Sequence, residues 1–310
     1  MGTLLLAVIP PILFLVWILR YDRTEPEPLS SVLKVFLLGG VSVFPVAFLE
    51  VSLLQLPLFS ADGITGSALQ SFLVIAPLEE ATKLLIVILF ALRSRHFTEQ
   101  NDGIVYAGTA SIGFALAENL FYVFEHGAVV GMARAVTSIP GHTFTGVIMG
   151  YYFGRDYFSS SAGKRFSGIA KGFLAAWFLH GVYDTFVLSG TSAALLVVPL
   201  VILNFILGVG FLKKGRALSE MQNGAIVTEA TPSSPRGVGC RKLLGRTLIT
   251  LSLLFWLLIV TGLLAGNIQA KYDPVDVLSG SVIITFIPLT MGIVLEVSAR
   301  KAYRETRKTR

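Results

Sequence analysis

The stretch that decides the fold runs from Ala68 to Leu92: Ala-Leu-Gln-Ser-Phe-Leu-Val-Ile-Ala-Pro-Leu-Glu-Glu-Ala-Thr-Lys-Leu-Leu-Ile-Val-Ile-Leu-Phe-Ala-Leu. It is long enough to cross a hydrocarbon core of about 30 Å at about 1.5 Å per residue. Its only charges are Glu79, Glu80 and Lys83, grouped within one helical turn. Ionisable residues inside a span are costly, and they mark function by default. The rest of the chain repeats the apolar pattern. Further spans are predicted near Leu4–Leu19, Leu29–Leu49, Ile104–Phe124, Ala135–Phe153, Gly168–Leu188, Ala193–Leu212, Thr247–Gly266 and Val277–Val297. The expected fold is therefore all-α, a polytopic transmembrane helical bundle of about nine spans. Composition agrees, with 54% hydrophobic and 14% charged residues over 310 positions and a mean hydropathy of +0.73, against roughly 25% charged residues in a soluble domain.

Charge orients the bundle. With the N-terminus outside, the alternate connections that fall inside carry nearly all Lys and Arg, including Arg93, Arg95, Arg155, Lys164, Arg165, Lys213, Lys214 and the tail from Arg300 to Arg310. The outside connections carry only Arg134 and Lys271. Basic residues favour the cytoplasmic side, so the expectation is N-out, C-in. The net charge of +6 is then explained by anionic lipid headgroups of the bilayer and not by nucleic acid. The single cysteine, Cys240, excludes an intrachain disulfide and a cysteine-based metal cage. Three parts are expected: a seven-span core over 1–212, a flexible cytoplasmic linker over 213–246 with Thr231-Pro232-Ser233-Ser234-Pro235, and an accessory hairpin with a basic cytoplasmic tail over 247–310.

The intramembrane polar residues fall in four consecutive spans: Glu79, Glu80 and Lys83; Glu118 and Asn119; His142; His180 and Asp184. Counted from the cytoplasmic ends, Glu79, Glu118, His142 and His180 all lie roughly 16–21 Å deep. A shared level points to one buried site. The small residues suggest which helices meet. His142, Gly146, Gly150 and Gly154 recur at i, i+4, as do Gly168, Gly172, Ala176, His180 and Asp184, and such stripes let membrane helices approach closely. Stripe-to-stripe pairing predicts Gly150 near Gly172 and His142 beside His180. Pro77 and Pro140-Gly141 are expected to kink or unwind their helices.

Two imidazoles and a carboxylate from separate helices suit an open zinc site, with Glu118, His142 and His180 as metal ligands and another divalent metal as an alternative. Glu79 or Glu80 would be the catalytic base, with Glu79 slightly favoured, and Lys83 would neutralise the other. Asp184 would orient His180 or join the metal shell, and Asn119 could donate to an oxyanion. The spacing of a zincin helix (H-E-x-x-H) and of a serine-nucleophile elbow (G-x-S-x-G) are both absent. The same buried groups would also serve a proton- or cation-coupled transporter, and a non-catalytic scaffold or immunity-like protein is a third reading.

At these residues the sequence resembles the PrsW family of intramembrane proteases, a distant relation of the CAAX prenyl endopeptidase and bacteriocin-immunity group. The resemblance rests on Glu79-Glu80-x-x-Lys83, Phe114-x-x-x-Glu118-Asn119, His142-x-x-x-Gly146 and His180-x-x-x-Asp184, together with the acidic, Pro-rich Tyr21–Pro28. It covers residues 1–212. It implies a metal-dependent endopeptidase of the cell membrane acting on membrane-anchored protein substrates of the anti-sigma-factor kind, with the first-motif glutamates and the two histidines as the catalytic and metal-binding set. A glutamate-centred mechanism without metal has also been considered for the wider group.

Overall fold

The structure, a computed structural model, describes residues 2–22, 25–222 and 224, and beyond them only Arg246, Ile293 and Glu296. The chain divides into two compact units, Met1–Ile226 and Val227–Arg310. The first is described below. Most of the expected linker and the hairpin over 247–310 lie outside the described residues.

The described residues form helices and connections only. The main helices are α1 (Gly2–Tyr21), α2 (Leu29–Leu54), α3 (Gly63–Gln70), α4 (Ala76–Ile86), α5 (Asp102–Val136), α6 (Ser138–Tyr157), α7 (Ala162–Leu188) and α8 (Val197–Gln222). Two five-residue π-helical turns, Ser71–Ile75 and Val87–Ala91, flank α4. Among the described residues, three helical stretches, Leu29–Leu54, Asp102–Tyr157 and Ser192–Gln222, are long and apolar enough to cross a membrane. One face of α2 shows how. Val32, Val35, Gly39, Val43 and Val46 are buried, while Leu33, Leu37, Val41, Phe44 and Phe48 stand exposed on the opposite face. An outward stripe of large apolar side chains is costly in water and at no disadvantage against lipid. This is a membrane protein.

α5 is the hub. It packs on α1, α2 and α6; α6 packs in turn on α7 and α8, and α7 on α3 and α4. Close approach is bought by glycine. A Cβ at Gly150 would run into the Gly103 carbonyl, and one at Gly154 into the Gln100 carbonyl. The α6 stripe of Gly146, Gly150 and Gly154 therefore faces α5. The expected stripe-to-stripe pairing is wrong. Gly168 and Gly172 of α7 do pack on α6, but against Tyr152, Asp156 and Met149. Adjacent helix positions point about 100° apart, so α6 offers the face of Met149 and Tyr152 to α7 and its glycine face to α5.

Proline positions also differ from expectation. Pro140 lies in the first turn of α6, where an N–H would have no helical partner, so α6 starts cleanly at Ser138. Pro77 opens α4 directly after a π turn, where the hydrogen-bond ladder changes register and a missing N–H does least harm. α8 continues to Gln222, into the expected linker. Ser219 there accepts a hydrogen bond from the Asn101 N–H, and an Arg216–Glu220 pair at 2.7 Å supports the last turns.

Asp22, Glu25 and Glu27, from the acidic segment, clasp the start of α5 and the connection before it. Asp22 accepts from the Asn101 side chain at 3.0 Å, Glu27 from the Tyr106 hydroxyl, and Glu25 from the Thr98 hydroxyl at 2.8 Å. Burial pushes Glu27 from 4.5 up to about 7.

Candidate metal centre

α4, α6 and α7 bring their polar residues to one point. Glu79, Glu80, His142 and His180 are all buried, and each offers one ligand atom such that the four atoms lie within 4.8 Å of one another. Both glutamates reach the site because Lys83, three and four residues on, gathers them. Its ammonium donates to Glu80 Oε1 at 2.8 Å and Glu79 Oε2 at 3.0 Å. It also lies 3.0 Å from His142 Nδ1 and over the Phe114 ring, 4.4 Å from its centre. The phenylalanine of the second motif thus covers the cation, a placement worth about 2 kcal/mol when desolvated.

The two rings meet edge to face, 4.9 Å between centres. Their partners fix much of their protonation. An ammonium can only donate, so His142 Nδ1 must accept, and the ring hydrogen sits on Nε2, which donates to Glu118 Oε2 at 2.9 Å. His180 donates from Nδ1 to Glu80 Oε1 at 2.8 Å. Its Nε2 stands 3.1 Å from Asp184 Oδ2 and 3.8 Å from Glu79 Oε2. The Asp184 approach is an ionic proximity and not a directed hydrogen bond, since that oxygen has no hydrogen-bond partner.

Of the residues singled out from sequence, Glu79, Glu80, Lys83, His142, His180 and Asp184 are together here. Glu118 touches the group through His142 and not directly. Asn119 is fully buried one residue further on, but its side-chain amide donates to the Ala7 carbonyl of α1 at 3.3 Å. His96 and His126 lie outside the site; His126 packs on Tyr122.

Sequence reasoning missed three groups. Arg134 pairs with Glu118 Oε2 at 2.7 Å. Asn204 of α8 is 1% exposed, and neither its amide nitrogen nor its oxygen has a partner among the described residues. It lines a cavity of about 10 Å³ with Ser138, His142, His180 and Tyr183, room for about one water molecule. Glu50, near the end of α2, has a buried carboxylate oxygen without a partner among the described residues and lies in electrostatic range of Glu79, Glu118 and Asp184. An arginine in a connection, a lone asparagine in an apolar span and a glutamate at a span end carry no spacing signal.

Two nitrogen and two oxygen donors, buried and converging from three helices, suit a zinc-like divalent ion. Residues 27–209 match a family described as PrsW family intramembrane metalloprotease. The chain belongs to this family. It is 39% identical to protease PrsW of Geobacillus kaustophilus over 183 residues, 59% of this chain and 78% of that one. It is 36% identical to protease PrsW of Clostridioides difficile over 184 residues, 58% and 76% of the two chains. Against protease PrsW of Bacillus subtilis it is 33% identical over 215 residues, 69% of this chain and 96% of that one. No solved structure matches the chain. The family match spans every residue of the buried group, and also Arg134 and Asn204.

Proposed function

We propose that this chain is a multi-pass endopeptidase of the cell membrane, N-out and C-in with about nine spans, that cuts a membrane-anchored protein at a divalent-metal centre. One observation carries the reading: Glu79, Glu80, His142 and His180, from three helices, bring four ligand atoms within 4.8 Å of one another in a buried place. Glu80, His142 and His180 would hold the metal, zinc before others by donor type. When bound, it would polarise the scissile carbonyl and lower the pKa of a water.

Glu79 is the best placed base. It stands 3.8 Å from both rings and is held only by Lys83. Its carboxylate takes a proton from the attacking water as the C–O bond forms, and returns it to the leaving nitrogen as the C–N bond breaks. Glu80 is tied to both Lys83 and His180. Glu118 accepts the His142 ring hydrogen, as carboxylates behind metal-bound imidazoles do, and this differs from a ligand role for Glu118, while Asp184 stands 3.1 Å from His180 Nε2 as a nearby charge. Asn119, turned to α1, supports packing. The seven-span core over 1–212 carries the whole site, with the linker and terminal hairpin accessory. By family resemblance the substrates are anti-sigma-factor-like, and a site slightly outside the midplane would cut near the outer face.

The test is metal content by mass spectrometry of detergent-purified protein, with cleavage of a membrane-anchored reporter. One zinc per chain, lost in folded His142→Ala and His180→Ala, is the expected result. Cleavage by a folded, zinc-supplied protein that holds no metal would overturn the metal centre and leave a glutamate-centred hydrolase. Ion flux surviving loss of both histidines would overturn the protease reading in favour of a transporter.

A further inference from the structure

Arg134 and Glu118 are sixteen residues apart in one helical stretch, a separation of about 24 Å on a straight helix. Their side chains nonetheless meet at 2.7 Å. The cause is Gly127, at φ 82° and ψ −171°, a conformation open in practice only to glycine. There the helix breaks and the chain runs back along itself. Gly131 lies against Val123, and the Arg134 guanidinium sits over the Tyr122 ring, 3.9 Å from its centre. Tyr122 is one turn beyond Glu118, so ring and carboxylate form one cradle for the guanidinium, whose side chain is 13% exposed.

Glu118 Oε2 is shared. Arg134 Nη2 approaches it at 2.7 Å as an ion pair without a directed hydrogen bond, and His142 Nε2 hydrogen-bonds it at 2.9 Å. The carboxylate that accepts the His142 ring hydrogen is thus the one the arginine holds. A tautomer is set by the hydrogen bond at the opposite nitrogen, so what fixes Glu118 also fixes where the His142 lone pair points: toward Glu79, Lys83 and His180.

We infer that Arg134 is a positioning residue for the site, completing a chain Arg134–Glu118–His142 that keeps the His142 Nδ1 lone pair directed at the buried group. Its use in metal binding rests on the function proposed above; its effect on the ring does not.

The experiment is a double-mutant cycle in the full-length protein with Arg134→Met, Glu118→Gln and the pair. Readouts are zinc affinity by chelator competition, kcat and KM on the reporter, and ring ¹⁵N shifts of labelled histidine, with His142 assigned by its loss in His142→Gln. Arg134→Met is expected to weaken zinc binding and lower kcat by about 10–100-fold, the range seen when such outer partners are lost, with KM little changed. It is also expected to move His142 away from the Nε2–H form. The double mutant should be no worse than Glu118→Gln alone. Arg134→Lys should restore part of each effect, since lysine keeps the charge of the ion pair but not the guanidinium plane laid on Tyr122, and it is the variant to use if Arg134→Met fails to fold. An unchanged His142 ring signal in a folded variant overturns the inference, and so do losses that add in the double mutant, which would put Arg134 on the substrate. If the protein neither binds zinc nor cleaves, the ring shifts still decide the inference, while the proposed function fails separately.

Discussion

Lys83→Met tests the site most severely. The Lys83 ammonium is 1% exposed and contacts Glu80 at 2.8 Å, Glu79 at 3.0 Å and His142 Nδ1 at 3.0 Å. At an effective dielectric of about 20, each carboxylate pair is worth roughly 5–6 kcal/mol of gross attraction, most of it offset by desolvation. Removing one partner from such a buried group costs about 3–5 kcal/mol, because the other charges remain without compensation. Methionine preserves length and volume, so cavity cost is small. In chelator, Lys83→Met should therefore lose about 3–5 kcal/mol, a fall in Tm of roughly 6–20 °C at about 2–4 °C per kcal/mol for a unit of this size. Zinc should restore most of that loss, since a divalent cation replaces the missing charge. The zinc-dependent shift should be smaller in wild type, where Lys83 competes for the His142 lone pair. Tryptophan fluorescence of the solubilised protein during heating, with and without zinc, measures both. A Tm equal to wild type in chelator would refute the ion cluster. A large loss that zinc fails to repair would refute the metal centre.

Asn204→Leu removes a buried amide with no partner among the described residues and should raise stability by about 1–3 kcal/mol; a loss of that size on heating would mean that ordered water satisfies the amide. Glu27, pushed by burial to about 7 from 4.5, keeps its proton longer in the folded state, so stability should fall as pH rises from about 4.5 to about 7 and stay lower above it. Because the group is only about half buried, Glu27→Gln should flatten that slope by no more than about 1 kcal/mol, and a denaturation series from pH 5 to 8 checks it. Gly127→Ala forces a Cβ onto a backbone angle of +82° and should cost about 1–3 kcal/mol, while shifting the His142 ring signal in the same direction as Arg134→Met; an unshifted ring would separate the turn from the site.

What the sequence revealed follows from the range of its rules. Glu79, Glu80 and Lys83 are neighbours along the helix, so spacing put the ammonium within reach of both carboxylates, though it was expected to neutralise only one and it bonds both. Asp184 lies one turn beyond His180 and was equally legible. The meeting of His142 with His180 was expected for a partly wrong reason: the two rings do touch, but the glycine stripe of α6 is spent on α5, and α7 lies on the face about 100° away. Small residues report that a helix is approached closely, not by which neighbour. Arg134 was invisible for a further reason. Its partner is sixteen positions back, and only the reversal at Gly127 makes them neighbours. One glycine among thirty, in a connection, gives no hint that it folds an arginine onto the site.

Charge balance joins these parts. The groups in contact at the site carry four carboxylates, Glu79, Glu80, Glu118 and Asp184, against two permanent cations, Lys83 and Arg134. With both rings neutral, two negative charges are left over in a buried place, and Glu50 nearby can only deepen the deficit. Protonating both histidines would close it, but His142 Nδ1 accepts from Lys83 and Nε2 already bears its hydrogen, so that ring has no room for a second proton. His180 alone can supply at most one charge. Buried charges persist only when paired, bound to metal or neutralised by a proton, so carboxylates that keep their protons would balance this donor set, and a divalent cation of the kind proposed would do so in one step. Such a cation would also have to take the His142 lone pair from Lys83. The lysine would then be an internal competitor as well as a counter-ion: it holds the carboxylates together, and it would set how tightly metal must bind to displace it.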